Sequence, residues 1–309
     1  MINGKTEGLI AAPMTAYHPD GTVNLDAIPP YAEFLQSNGV VGVFINGTTG
    51  EGFSLALEER KAIADSWMKT VHSEFKVIVH VSHTCAVSAR DMARHAAQIG
   101  AWGIGEMGPL FYKPNRVEDL VEYAAETAAQ VPETPYYYYH IPSMNGVCFP
   151  MLEFLRAAEP KIPKLAGIKY THEDLVDFEL CREFNDGKYD ILYGRDETLL
   201  CSLALGCRGA VGSTYNIMAP LYTRIIDAFD SGNLSEARRL QRISMKVVRL
   251  LAETTSFNSA LKEVMNMIGL NLGGVRSPLK NIEAAKTARL KNGLKELGFF
   301  EFCSKLPPI

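Results

Sequence analysis

A closed parallel (β/α)8 TIM barrel, α/β in class and followed by a three-helix C-terminal extension, is the fold this sequence predicts. Three observations predict it. Short apolar runs alternate with longer amphipathic stretches, and the alternation repeats eight times by about residue 230. Strands that alternate with helices imply a parallel sheet, and eight such units in that length fit a closed barrel better than an open doubly wound sheet. An open sheet would need a Gly-rich nucleotide turn after its first strand, and the residues there are Ala12-Pro13-Met14-Thr15.

Taken in order, Gly8–Met14 is the first strand and Asn24–Ser37 its helix, with Asn24 as cap and an apolar stripe through Ile28, Tyr31 and Leu35. Val40–Asn46 is the second strand and Leu57–Val71 its helix. Lys76–Val81 is the third, followed by a helix over Ser88–Ile99 that Ser88 caps. Gly103–Met107 and the helix Arg116–Gln130 make the fourth unit, Pro135–Ile141 and Pro150–Ala158 the fifth. Leu165–Lys169 is the sixth strand, before the helix Glu173–Glu183. Tyr189–Tyr193 pairs with Glu197–Leu205, and Gly209–Ser213 with Ala219–Asp230. Residues 233–309 lack strand signals. Leu234–Thr254, Ser259–Met267 and Ile282–Leu297 read as helices, interrupted over Gly269–Pro278. Two units follow: a catalytic barrel over 1–232 and a helical extension over 233–309 packed on it.

Composition narrows the function. At 47% hydrophobic and 21% charged the chain has ample material for a core, and its net charge of −4 offers no basic field for nucleic acid or an anionic membrane. No stretch approaches the roughly 20 apolar residues that span a bilayer. The start, Met1–Gly8, has no basic flank before a long apolar core, so no secretory leader is expected and the location is read as cytoplasmic. Six scattered cysteines without a Cys-x-x-Cys read as reduced thiols. His80 and His83, three apart at a strand end, point to opposite faces and lack carboxylate or thiolate partners, so no metal site is expected.

In a barrel of this kind the chemistry gathers at the carboxyl ends of the strands. Those ends are polar here. The second runs into Gly47-Thr48-Thr49-Gly50-Glu51, where paired hydroxyls between glycines either hold a small anion such as a carboxylate or simply turn the chain into a helix. Phe111-Tyr112 follows the fourth. The fifth is four tyrosines, Tyr136–Tyr139, of which alternation sends two inward. The sixth ends on Lys169, which either snorkels to solvent or enters an enclosed site. Asp196 and Glu197 follow the seventh, as a helix-dipole complement or as ligands, and Ser213 follows the eighth. A lumen lysine near a tyrosine and an anion-binding turn suggests Schiff-base chemistry: a neutral amine attacks a ketone, and a neighbouring hydroxyl moves protons. Tyr139 fills that part if its phenol faces Lys169 across adjacent strands.

The motifs Gly47–Glu51, Tyr139–Pro142 with Gly146-Val147, Gly167–Lys169 with Thr171, Gly194–Glu197 and Gly212–Asn216, in this order and nearly end to end, resemble the N-acetylneuraminate lyase (sialic acid aldolase) family. That family is part of the larger group that includes dihydrodipicolinate synthase. The resemblance implies a class I aldolase that cleaves N-acetylneuraminate reversibly to N-acetylmannosamine and pyruvate, with no metal or organic cofactor. It makes Lys169 the Schiff-base lysine and Tyr139 the proton carrier, aided by the substrate's own carboxylate. Thr48 and Thr49 would hold the pyruvate carboxylate, Thr48 also linking Tyr139 to Tyr112. Tyr112 would reach into a neighbouring subunit's site, which implies an oligomer, usually a tetramer. Thr171, Gly194, Asp196, Glu197 and Ser213 match positions that contact the sugar's hydroxyl-rich chain.

Arg195 inside the acidic motif, His140 where many relatives have asparagine, and Met144 in place of leucine depart from the family's pattern and bear on substrate detail. Ser143–Gly146 holds no arginine, whereas dihydrodipicolinate synthases carry one there for a carboxylated aldehyde, which argues against that activity. The rivals are an aldolase or synthase of the same superfamily acting on another keto acid and, more remotely, a sialate or keto-acid sensor without turnover.

Overall fold

Each expected apolar run forms a strand: β1 (Gly8–Ala11), β2 (Val40–Ile45), β3 (Lys76–His80), β4 (Gly103–Met107), β5 (Tyr136–His140), β6 (Leu165–Tyr170), β7 (Asp190–Tyr193) and β8 (Gly209–Gly212). The computed structural model describes residues 5–307. Met1–Gly4, part of the segment read for a leader and the start of the first unit, and Pro308–Ile309, the end of the second, lie outside the described residues. The strands pair in parallel in sequence order and the sheet closes on itself, β8 against β1 with Leu9 opposite Ala210 and Ala11 opposite Gly212.

Period-two alternation sorts the side chains into two cores. Val43, Ile45, Val77, Val79, Tyr136 and Tyr138 face the surrounding helices. Phe44, Ile78, Met107, Tyr137, Tyr139 and Leu192 fill the lumen. The four-tyrosine strand thus splits two and two, as alternation requires. In register, Tyr139 lies opposite Lys169, and Lys169 opposite Leu192.

The helices outside the barrel start with Ile28–Ser37, Leu57–Thr70, Ala86–Gln98 and Val117–Ala128. The capping expectations fail in two places. Asn24 makes no side-chain cap: it flanks a 3-10 turn over Leu25–Ala27, and the residue that flanks the helix itself is Ala27, which has no polar side chain to cap with. Ser88 lies inside its helix, because the chain is helical from Ala86 and Cys85 is the flanking residue. One short helix, Pro142–Asn145, was not expected. The helix after β8 begins at Tyr215, not Ala219, and continues through a break at Met218 before Pro220. Beyond the barrel run helices Leu234–Ala252, Phe257–Met267 and Ala284–Glu296, then a single turn, Phe299–Phe302, that the sequence did not signal. Among the described residues no helix is long and apolar enough to cross a membrane.

The extension is bolted to the barrel mouth. Lys262 Nζ meets Glu51 Oε1 at 2.9 Å, both side chains almost wholly buried, and Glu51 Oε2 accepts from the Arg276 amide at 2.9 Å. The Arg276 guanidinium then forks onto Glu59. A buried pair of this kind is costly to break from one side, since the remaining charge is left without a partner.

Candidate active site

Lys169 sits one residue before the end of β6, and alternation turns it inward, so it does not snorkel. It is 5% exposed, and its Nζ lies 3.9 Å from the ring centroids of both Phe44 and Tyr139. Burial in that aromatic pocket lowers its pKa to about 7, against the opposing pull of the Asp196 carboxylate. A large share of the amine is therefore uncharged at neutral pH, the condition for nucleophilic attack.

Tyr139, opposite Lys169 in register, is held edge-on by Phe44, at 5.3 Å between ring centroids, and by His80, at 5.8 Å. Its hydroxyl lies 3.4 Å from Thr48 Oγ1. Burial raises its pKa to about 12, opposed by the hydroxyls of Thr48 and Thr171. The phenol is thus a neutral donor that can pass a proton, not a standing phenolate.

Thr48 and Thr49 occupy a turn fixed from several sides. Asn46 enters it in the left-handed region, φ 59°, as does Glu51, φ 55°, conformations that side chains other than glycine adopt only where surroundings enforce them. Thr15 Oγ1 donates to the Gly50 carbonyl at 2.6 Å. Asn258, from the C-terminal extension, donates to the carbonyls of Thr48 and Thr49. Glu51 anchors the turn's far end through Lys262 and Arg276. The glutamate of the Gly47–Glu51 motif is therefore a structural anchor, and the turn hangs on residues more than 200 positions away.

The acidic motif divides likewise. Asp196 is 5% exposed, and its Oδ2 accepts from the Thr214 amide at 2.8 Å and the Thr214 hydroxyl at 2.6 Å. Burial raises its pKa to about 6, with the Thr214 bonds opposing. Glu197 Oε1 accepts from Arg195 at 2.8 Å, and Arg195 also meets Glu173. Two glycines make room here. A Cβ on Gly194 would overlap Thr171 Oγ1, and one on Gly212 would overlap the Asp196 carboxylate. Thr171 Oγ1 is buried without an ordinary hydrogen bond among the described residues.

The chain thus brings Lys169, Tyr139, Thr48, Thr171 and Asp196 into one neighbourhood at the carboxyl end of the barrel. Thr49 is buried in the same turn, and Gly194, Glu197 and Ser213 flank it on the loops after β7 and β8. Tyr112 is not brought in by its own chain: it is 84% exposed, its ring against that of Phe111. Sequence reasoning missed four contributors. Thr214 holds Asp196. Asn216 ties β1 to β8 through the Ala12 and Ser213 carbonyls. Arg60 and His80 lie under the threonine turn. His80 is legible in the sequence, since alternation from lumen-facing Ile78 points it inward. Among the described residues no cluster of three or more His, Cys, Asp or Glu could hold a metal ion.

Comparison with known proteins bears on this site. The family described as "Dihydrodipicolinate synthetase family" matches residues 5–297. The chain is similar to the N-acetylneuraminate lyase of Rattus norvegicus, 35% identical over 302 residues, covering 96% of this chain and 94% of that one. It is also similar to the N-acetylneuraminate lyase of Danio rerio, 40% identical over 282 residues, covering 89% and 91%. Among solved structures, the Proteus mirabilis N-acetylneuraminate lyase superposes with a TM-score of 0.93 at 37% identity, over 96% of this chain and 100% of that one.

Proposed function

The chain belongs to the dihydrodipicolinate synthetase family, and from that premise we propose that it is a class I aldolase cleaving N-acetylneuraminate reversibly to N-acetylmannosamine and pyruvate. One observation carries the mechanism: a buried lysine at a strand's carboxyl end, its amine held near pKa 7 against the face of a neutral tyrosine. The names of the similar proteins support the substrate, and no arginine stands in Ser143–Gly146 to receive a carboxylated aldehyde.

The amine of Lys169 adds to the C2 ketone, and the carbinolamine loses water to an iminium. The C4 hydroxyl gives up its proton to the relay of Tyr139 and the substrate's own carboxylate. The C3–C4 bond breaks, its electron pair flowing to the iminium as the aldehyde leaves. Protonation of the enamine at C3 and addition of water then free pyruvate and the lysine. Thr48 and Thr49 hold the keto-acid carboxylate. Thr171, Gly194, Asp196, Glu197 and Ser213 bind the polyol chain, whose hydroxyls donate to the acidic oxygens. The lysine supplies the electron sink, so no metal or organic cofactor is required.

The exposure of Tyr112 supports a site completed by a second subunit; assembly as a homotetramer follows from the family resemblance, and a cytoplasmic location is part of the same reading. Residues 1–232 form the catalytic barrel, and 233–309 the extension that steadies its threonine turn. Trapping decides the core of this reading. Incubation with pyruvate and borohydride, then peptide mass mapping, is expected to place a reduced pyruvate adduct on Lys169. An unmodified Lys169 overturns the mechanism. Release of pyruvate from a panel of keto acids, with N-acetylneuraminate cleaved fastest, tests the substrate.

A further inference from the structure

One imidazole packs against Tyr139 and bonds the chain two residues before Thr48. His80 ends β3 facing the lumen, 1% exposed. Its ring stands edge-on to Tyr139, 5.8 Å between centroids at 84°, and also packs on Phe44 at 5.7 Å. Its Nδ1 lies 3.0 Å from the carbonyl of Asn46. A carbonyl only accepts, so that nitrogen carries the proton. Asn46 is the left-handed residue two positions before Thr48, and the bond to His80 fixes the peptide at which the strand breaks into the turn.

The surroundings keep the imidazole in that form. Arg60, 1% exposed, donates to the carbonyls of His80 and Ser82 at 2.6 and 2.8 Å, and Asn46 Nδ2 donates back to the Arg60 carbonyl at 3.0 Å. A second proton on Nε2 would create a cation in the lumen beside Arg60 and Lys169. Nε2 is buried and makes no hydrogen bond among the described residues. Burial and those two charges hold the His80 pKa well below its usual value.

We propose that His80 is a positioning residue for the cleavage step: as a neutral Nδ1–H imidazole, it fixes the Thr48 turn through Asn46 and the Tyr139 ring through packing, and so sets the distance between the two hydroxyls. It does not touch the reacting atoms. The inference rests on the Schiff-base reading above, with Tyr139 as the proton carrier.

The test separates the amine's step from the phenol's. His80→Phe keeps a ring against Tyr139 and removes the donor to Asn46. His80→Asn restores a donor near the Nδ1 position. Misplacing a relay by about 1 Å costs on the order of 10²-fold in rate, so His80→Phe is expected to lower kcat for N-acetylneuraminate cleavage about 10- to 100-fold. Borohydride trapping at saturating pyruvate should still reach the unsubstituted yield on Lys169, His80→Asn should recover most of the loss in kcat, and on a Thr48→Ala background His80→Phe should cost little more. Unchanged kcat in His80→Phe, equal losses in the two variants, or losses that add to that of Thr48→Ala overturns the inference. Should His80→Phe fail to fold, the 15N shifts of the imidazole in the unsubstituted protein decide. A neutral Nδ1–H tautomer from about pH 5 to about pH 9, the range bracketing an ordinary imidazole, supports it, and an Nε2–H tautomer or an imidazolium sinks it. If the unsubstituted protein neither traps pyruvate nor cleaves the sugar acid, the aldolase reading fails instead.

Discussion

At the amino end of the barrel lumen Lys76, Tyr137 and Asp190 are grouped together, and at the carboxyl end Lys169, Tyr139 and Asp196 are. The residue types match, and the two tyrosines are neighbours on one face of β5. The lower group is closed on itself. Lys76 Nζ donates to Thr6 Oγ1 at 3.0 Å and lies over the Trp102 ring. Tyr137 donates to Asp190 Oδ2 at 3.0 Å, and the Thr6 amide donates to the same oxygen at 3.2 Å. In the upper group Thr214 binds one oxygen of the acid, the lysine amine rests on two aromatic faces, and the phenol reaches a hydroxyl at 3.4 Å. Burial lowers both lysines. Burial alone therefore does not make a site; partners withheld from the reacting groups do.

Substitutions at matched positions should separate the two ends. Lys169→Met should abolish pyruvate trapping and reduce turnover on the order of 10⁴-fold or more, as loss of a covalent nucleophile does. Lys76→Met should leave turnover unchanged, and a comparable loss there would erase the distinction. Tyr139→Phe should lower kcat about 10²–10⁴-fold with the adduct still forming. Unaltered turnover would remove Tyr139 from the relay.

The titration sharpens the contrast further. Because the Lys169 pKa is depressed to about 7, the reactive amine is lost as pH falls through that value and fully present above it. The rate of iminium formation, followed by rapid quench with borohydride, should drop about tenfold per unit below pH 7 and level off above it. A limb rising toward the ordinary lysine value would show an unperturbed amine. Smallest in its effect on rate is Tyr137→Phe. It removes one of two donors to the buried Asp190 oxygen and should cost about 1–3 kcal/mol in denaturant unfolding with turnover unchanged. A fall in kcat without a fall in stability would mean that the lower cluster takes part in the chemistry.

Much of this molecule follows from local pattern. Strand positions, the two-and-two split of the β5 tyrosines and the polar strand ends are readable, because side-chain period and the placement of a barrel's loops are short-range rules; which way Lys169 points is not, since the register shifts early in the β5–β6 pairing. Adding the family resemblance named the roles. Short-range rules stopped at the caps. Nothing in Asn24 or Ser88 says that an intervening 3-10 turn or an earlier helix start will take it away from the flanking position.

They stopped also at every partnership that crosses the chain. Glu51 has no assigned part in the sequence until Lys262 and the Arg276 amide meet it, and Asp196 looks free until Thr214 binds it. His80 is a lone histidine until β2 brings the Asn46 carbonyl and β5 brings the Tyr139 ring. A sequence fixes which face a side chain presents, since that depends on its neighbours in the chain. What it meets there depends on closing the sheet, which only the folded barrel decides.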